Sequence, residues 1–75
     1  MFYKVENTVV ASTGVYTGKG IARSPRRAYL IACNEAWRNL CIGDRKANYC
    51  SGIAAEHTVG FNLKTGEKIY EELDL

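Results

Sequence analysis

Apolar and polar residues alternate along this chain with two different periods. From Phe2 to Ala11 the period is two. Tyr3, Val5, Val9 and Ala11 fall on one side, Lys4, Glu6 and Thr8 fall on the other, and Asn7 interrupts the apolar row. That alternation predicts a half-buried strand. Ser12-Thr13-Gly14 supplies turn residues. Val15 to Ala22 reads as a second strand, and its Gly18 and Gly20 point to a bulge or to the close approach of another backbone. A turn at Glu6-Asn7-Thr8 with a longer second strand is the alternative.

The period then lengthens. Ser24 can cap a helix through its hydroxyl, and Pro25 suits the first helical position, where a missing N–H costs nothing. Gly43 follows the apolar run and is the expected stop. The spacing predicts a helix over residues 25–42, roughly 27 Å long at 1.5 Å per residue. Tyr29, Ala32, Cys33, Ala36, Trp37 and Leu40 share one broad face, with Ala28, Ala32 and Ala36 forming a small-residue edge that lets a helix lie close on a sheet. Leu30 and Cys41 flank this face. Ile31 and Ile42 fall nearer the polar side, to be covered by loops or by a partner. Trp37 is read as core, with the alternative that it is an exposed interface anchor in one patch with Leu30 and Cys41, near Arg38.

Period two returns after a polar loop at residues 44–47. Tyr49 to Leu63 predicts a strand bent near Gly52, with the odd positions, Ile53 to Leu63, as its core face. Lys64-Thr65-Gly66 reads as a hairpin turn. Glu67 to Leu73 closes the chain, with Ile69 and Leu73 opposite Lys68, Tyr70 and Glu72. The order ββαββ predicts an α+β fold, a four-stranded antiparallel sheet with one helix packed on one face. The other face would show Lys4, Glu6, Thr8, Val10, Glu56, Thr58, Lys68, Tyr70 and Glu72.

Seventy-five residues make a single domain, 1–75, with a small core. At 47% hydrophobic and 24% charged, the composition excludes a disordered chain. No apolar run reaches the roughly 18 residues of a membrane helix, and the start lacks the pattern of a secretory signal. A cytoplasmic location and free, reduced thiols are the expectation.

Charge is unevenly spread. Residues 1–46 hold eight basic and three acidic side chains, +5; residues 47–75 hold two basic and five acidic, −3. Lys19, Arg23, Arg26 and Arg27 gather around the expected helix start, where free N–H groups and the helix dipole favour anions. The spacing is neither that of a P-loop nor that of a dinucleotide fingerprint. With Arg38 on the exposed helix face, this cluster is the candidate binding site.

The remaining chemistry is sparse. Cys33 and Cys41 are about 12 Å apart along the helix axis, too far for a disulfide. Cys50 and His57 fall on opposite faces of a regular strand, so they form no nucleophile–base pair. His57 is read as a hydrogen-bonded, partly buried histidine. The spacings show no zinc site, and no cofactor or metal is expected.

The stretch Gly18 to Trp37, a strand entering a capped, alanine-rich helix, resembles in plan small phage-encoded inhibitor proteins, including some anti-CRISPR proteins. That resemblance implies a short, non-enzymatic protein built from a few strands and a helix, and it carries over no functional residue. Dodecin-like proteins have a β-α-β-β order; the extra strand before the helix departs from it, so flavin binding is not implied. The expected function is binding by protein–protein contact, as an inhibitor or adaptor, with charge complementarity supplied by Lys19, Arg23, Arg26, Arg27 and Arg38. The alternatives are nucleic-acid or nucleotide-phosphate binding through the same cluster, and a self-associating subunit.

Overall fold

The computed structural model describes residues 1–75. The elements are β1 (Tyr3–Ala11), β2 (Gly14–Ala22), α1 (Pro25–Ala47), β3 (Ile53–Asn62) and β4 (Lys68–Asp74). They form one antiparallel sheet in the order β2-β1-β3-β4 with a single helix, the expected ββαββ plan. The Glu6-Asn7-Thr8 turn is excluded, because β1 runs unbroken through these residues.

The helix is seated by small residues on both sides. Ala28, Ala32, Ala36 and Leu40 are its buried positions. Beneath them lie Gly18 and Gly20 of β2. A Cβ on Gly18 would collide with the backbone at Ala32 and Ala36, and one on Gly20 with the backbone at Ala28. The glycines mark close backbone approach and not a bulge, since β2 keeps a continuous register with β1. Val5 and Val9 of β1 fill the remaining space and are fully buried. The Asn39 amide adds a hydrogen bond of 3.0 Å to the Thr17 carbonyl, tying the helix to the edge strand.

This seating puts α1 over β2 and β1 only. Two strands span about 10 Å at the usual spacing, which is the width of one helix. On the helix-side face beyond it, Thr58 and Gly60 of β3 are still buried and Tyr70 of β4 packs against the Val5–Ala28–Ala32 cluster, while Glu72 and Asp74 of β4 are exposed.

Register settles which residues stand on that face. Val5 pairs with Gly60, Asn7 with Thr58 and Val9 with Glu56. The fully buried Asn7 amide donates to Glu56 Oε2 at 2.8 Å and to Thr58 Oγ1 at 2.9 Å, while its Oδ1 has no partner. The even positions of β3 thus face the helix side, contrary to the expected core face. Tyr70 and Glu72, opposite Gly60 and Thr58, share that side. Glu56, Thr58, Tyr70 and Glu72 are accordingly absent from the open face. Of the odd residues of β3 only Val59 is buried, and it lies on the open face, while Thr58 and Gly60 are buried on the helix side.

The helix also runs further than its sequence punctuation indicates. Gly43 is helical and sits against the Tyr16 side chain, where a Cβ would collide. The helix ends at Asn48, which takes the left-handed conformation at φ 53°, with its N–H on the Arg45 carbonyl at 3.2 Å. Asp44, expected in a loop, instead accepts from Thr13 Oγ1 (2.8 Å), Ser51 Oγ (2.8 Å) and the Ser51 N–H (3.1 Å). Tyr16 donates to Thr13 at 2.8 Å. One carboxylate thereby joins the β1–β2 turn, the helix end and the connection to β3. That connection runs to Gly52, so β3 starts at Ile53 and not at Tyr49.

Two outcomes follow for stability. Gly20→Val should cost about 3 kcal/mol or more in urea unfolding, at the upper end of overpacking penalties. Gly52→Ala, where a Cβ meets nothing within 4 Å, should change stability by less than about 0.5 kcal/mol. The Asp44 carboxyl lies below its ordinary value of 3.8, chiefly through the bond from the Ser51 backbone. A depressed carboxyl contributes stability above its unfolded pKa and loses it as pH falls through the folded one. Unfolding midpoints measured from pH 5 down to pH 2 should therefore converge between wild type and Asp44→Asn. A gap that stays constant with pH would remove Asp44 from this role.

Candidate functional site

The β4 side of the sheet and the flank of the helix enclose a groove. Its clearest part is a pocket of about 330 Å³ lined by Pro25, Arg26, Tyr29, Tyr70 and Glu72. Tyr29 is one turn inside the helix, set there by the Ser24 cap and Pro25. Tyr70 is held across the sheet because Gly60 beneath it has no side chain; a Cβ there would collide with the ring. Cys33 and Trp37 follow Tyr29 at four-residue steps and continue the same helix flank. On the strand side Glu56, Glu72 and Asp74 alternate with Thr58 and Tyr70 by register.

The electrostatics of this groove are acidic. The Tyr29 phenol is pushed up, first by hydrogen bonding to the Cys33 side chain and also by the Glu56 and Glu72 charges. Burial pushes the Cys33 thiol up, and burial likewise raises Tyr70. The two tyrosines and Cys33 are thus all shifted toward their neutral forms, and Arg26 and Glu72 stand together in the pocket lining.

The five sequence-predicted residues do not form one patch. Lys19 projects from the other face of β2 and pairs with Glu6 at 3.6 Å. Arg23 lies between β2 and α1, its guanidinium 5.5 Å from the Phe2 ring centroid. Arg26 lines the Tyr29–Tyr70 pocket. Arg27 and Arg38 are exposed, and by helical spacing they stand on the outer side of α1, opposite Ala28, Ala32 and Ala36. Arg45 falls on the same row, a residue sequence reasoning had assigned to a loop.

The outer helix side is also unusually apolar. Trp37 is 50% exposed and not core, Leu30 is 48% exposed, and no loop covers Ile31 or Ile42. More apolar surface than one sheet face needs was already visible in the helical pattern. What was missing was the width of the sheet relative to the helix.

All four ion pairs belong to the open face of the sheet. Glu6 is met by Lys4 and Lys19, at 3.8 and 3.6 Å. Glu71 accepts from Lys68 Nζ and His57 Nε2, each at 2.7 Å, and its carboxyl is held below the ordinary value, first by Lys68 and then by His57. His57 is thus hydrogen-bonded and half-buried, and remote from Cys50 in role. No group of three or more His, Cys, Asp or Glu is placed to hold a metal. No helix is long and apolar enough to cross a membrane.

The thiols differ in surroundings. Cys41 and Cys50 are exposed and Cys33 is half-buried beneath Tyr29. With a limiting thiol reagent near neutral pH, peptide mapping should find Cys50 modified well before Cys33, since the thiolate is the reacting form. Equal rates would mean that the Cys33 flank is open and the groove is not formed in solution. No family model matches the chain, and no curated protein or solved structure matches it either.

Proposed function

We propose that this chain is a non-enzymatic binding protein that acts by protein–protein contact, as an inhibitor or adaptor. The observation that carries the reading is the half-covered sheet. A four-stranded sheet is about two helices wide, and the chain supplies one. The radius of gyration is 13.0 Å, against about 11 Å for a compact chain of this length. Surface that would be buried in a complete two-layer domain is instead presented: the groove beside Tyr29 and Tyr70, and the apolar and basic outer side of α1. Exposed aromatic and arginine side chains are the residues that anchor protein interfaces.

Binding of nucleic acid is the second reading. It is favoured by the absence of any ion pair to the five arginines, which leaves Arg27, Arg38 and Arg45 free to meet phosphates. It would show as affinity for a mixed-sequence oligonucleotide that falls steeply with salt.

The test is affinity capture with two double variants, each first shown by urea unfolding to keep a cooperative fold, since Tyr70 packs against the Val5–Ala28–Ala32 cluster. Trp37→Ala with Tyr70→Ala should reduce partner recovery at least about tenfold, as loss of one interface anchor does. Lys19→Glu with Arg23→Glu should retain it. The reverse pattern would move the contact surface to the helix start. Recovery unchanged by either pair would reject this surface altogether.

A further inference from the structure

We infer that the surface left open by α1 is filled by a second copy of this chain, as a two-fold sandwich in which each helix covers the partner's β3 and β4. The inference rests on the protein-contact reading above and names the occupant of that surface. Three observations converge on it. The first is width: a four-stranded sheet is about two helices wide, α1 lies on β2 and β1, and past the buried Thr58 and Gly60 the Glu72–Asp74 end of β4 is left exposed as a shelf. The second is the helix itself. α1 spans about 34 Å and, besides its buried Ala28, Ala32, Ala36 and Leu40, exposes Leu30, Ile31, Cys41 and Ile42 among Arg27, Asn34 and Arg38. Apolar residues exposed together and rimmed by charge mark an interaction surface.

The third observation is charge. The open face of the sheet neutralises itself, with Glu6 between two lysines and Glu71 between a lysine and a histidine. The helix side does not. Glu72 and Asp74 on the shelf have no basic partner, and neither have Arg27, Arg38 and Arg45 on the outer side of the helix. One chain carries both members of a complementary set and cannot bring them together, because its own helix sits on β2 and β1 with the arginines turned away from the sheet. A second copy can. With the two sheets facing each other and a dyad parallel to the helix axes, the helices lie side by side between them. Each outer arginine row then meets the partner's acidic shelf, and the Tyr29–Cys33–Trp37 flanks meet across the dyad. Both contacts form twice, as a two-fold interface requires.

The charge pattern permits a decisive experiment. Sedimentation equilibrium of the wild-type chain should show a concentration-dependent mass between one and two times 8.3 kDa, shifting toward monomer as salt rises. Trp37 emission should move to shorter wavelength as the dimer forms. Arg27→Glu with Arg38→Glu should weaken dimerisation at least about 100-fold through like-charge contacts, and Glu72→Lys with Asp74→Lys should do the same. Mixing the two double variants should restore a dimer of the wild-type mass, since each now offers the charge the other lacks. That rescue also demonstrates that both variants are folded.

A wild-type chain that stays monomeric at every concentration would overturn the proposal. So would variants that dimerise as well as wild type, or a mixture that remains monomeric while wild type dimerises. A monomer whose partner capture is still lost on changing Trp37 and Tyr70 would reject the second copy and leave the protein-contact reading standing. A monomer whose capture is unaffected would reject both.

Discussion

The contact between the α1 backbone and the two glycines of β2 is the constraint from which the rest of the molecule follows. Gly18 and Gly20 bring the helix axis down onto an edge strand, with only Ala28, Ala32 and Ala36 between the two backbones. Few large side chains are needed to fill so thin a layer. Val5 and Val9 from the neighbouring strand are the largest apolar side chains fully buried. The stability of the domain accordingly depends on closeness of approach and dispersion contact more than on a large buried volume. Seated there, the helix cannot also cover the Glu72–Asp74 end of β4.

Polar groups are distributed to match. Where the sheet faces solvent, acids and bases alternate across neighbouring strands and cancel. Where it faces the helix layer, the β1–β3 seam is joined by side-chain hydrogen bonds from Asn7, and Glu72 and Asp74 beyond it form no ion pair. The two faces are built on different electrostatic rules within one sheet. That difference gives the helix side its character as a contact surface.

Much of this was legible in the residues. The alternation in β1, the Ser24–Pro25 helix start, the Gly66 turn and the alanine edge all read directly, because each depends on local conformation or on a single neighbour, whereas Tyr70 and Glu72 of β4 were assigned to the wrong face. The glycines of β2 were legible as a close approach, though not as to what approaches. The misreadings share one cause. The parity of β3, the core assignment of Trp37 and the loop cover over Ile31 and Ile42 all assumed that apolar residues find cover within the chain. Sequence periodicity reports which side chains share a face, and not whether the fold supplies a layer to cover it. The end of the helix was missed for a different reason: Gly43 is required by the Tyr16 side chain lying against it, a tertiary demand that looks like a local stop signal. The proposed binding residues were dispersed because closeness in sequence around a β-to-α junction does not fix a common direction.

Asn7 has a meaning beyond its hydrogen bonds. A strand whose inward residues are Tyr3, Val5, Val9 and Ala11 can slide by two residues against a neighbour and still keep its apolar side inward. Such a slip would be nearly silent in hydrophobic terms. It would not be silent at Asn7, whose buried amide finds acceptors only when Glu56 and Thr58 lie alongside. Two positions further along β3, the amide would face Gly60 and be left without a partner, at a cost of about 1–3 kcal/mol. The one polar residue in the apolar row thus acts as an alignment key: it disfavours the slip of β1 toward Gly60 that hydrophobicity alone would accept.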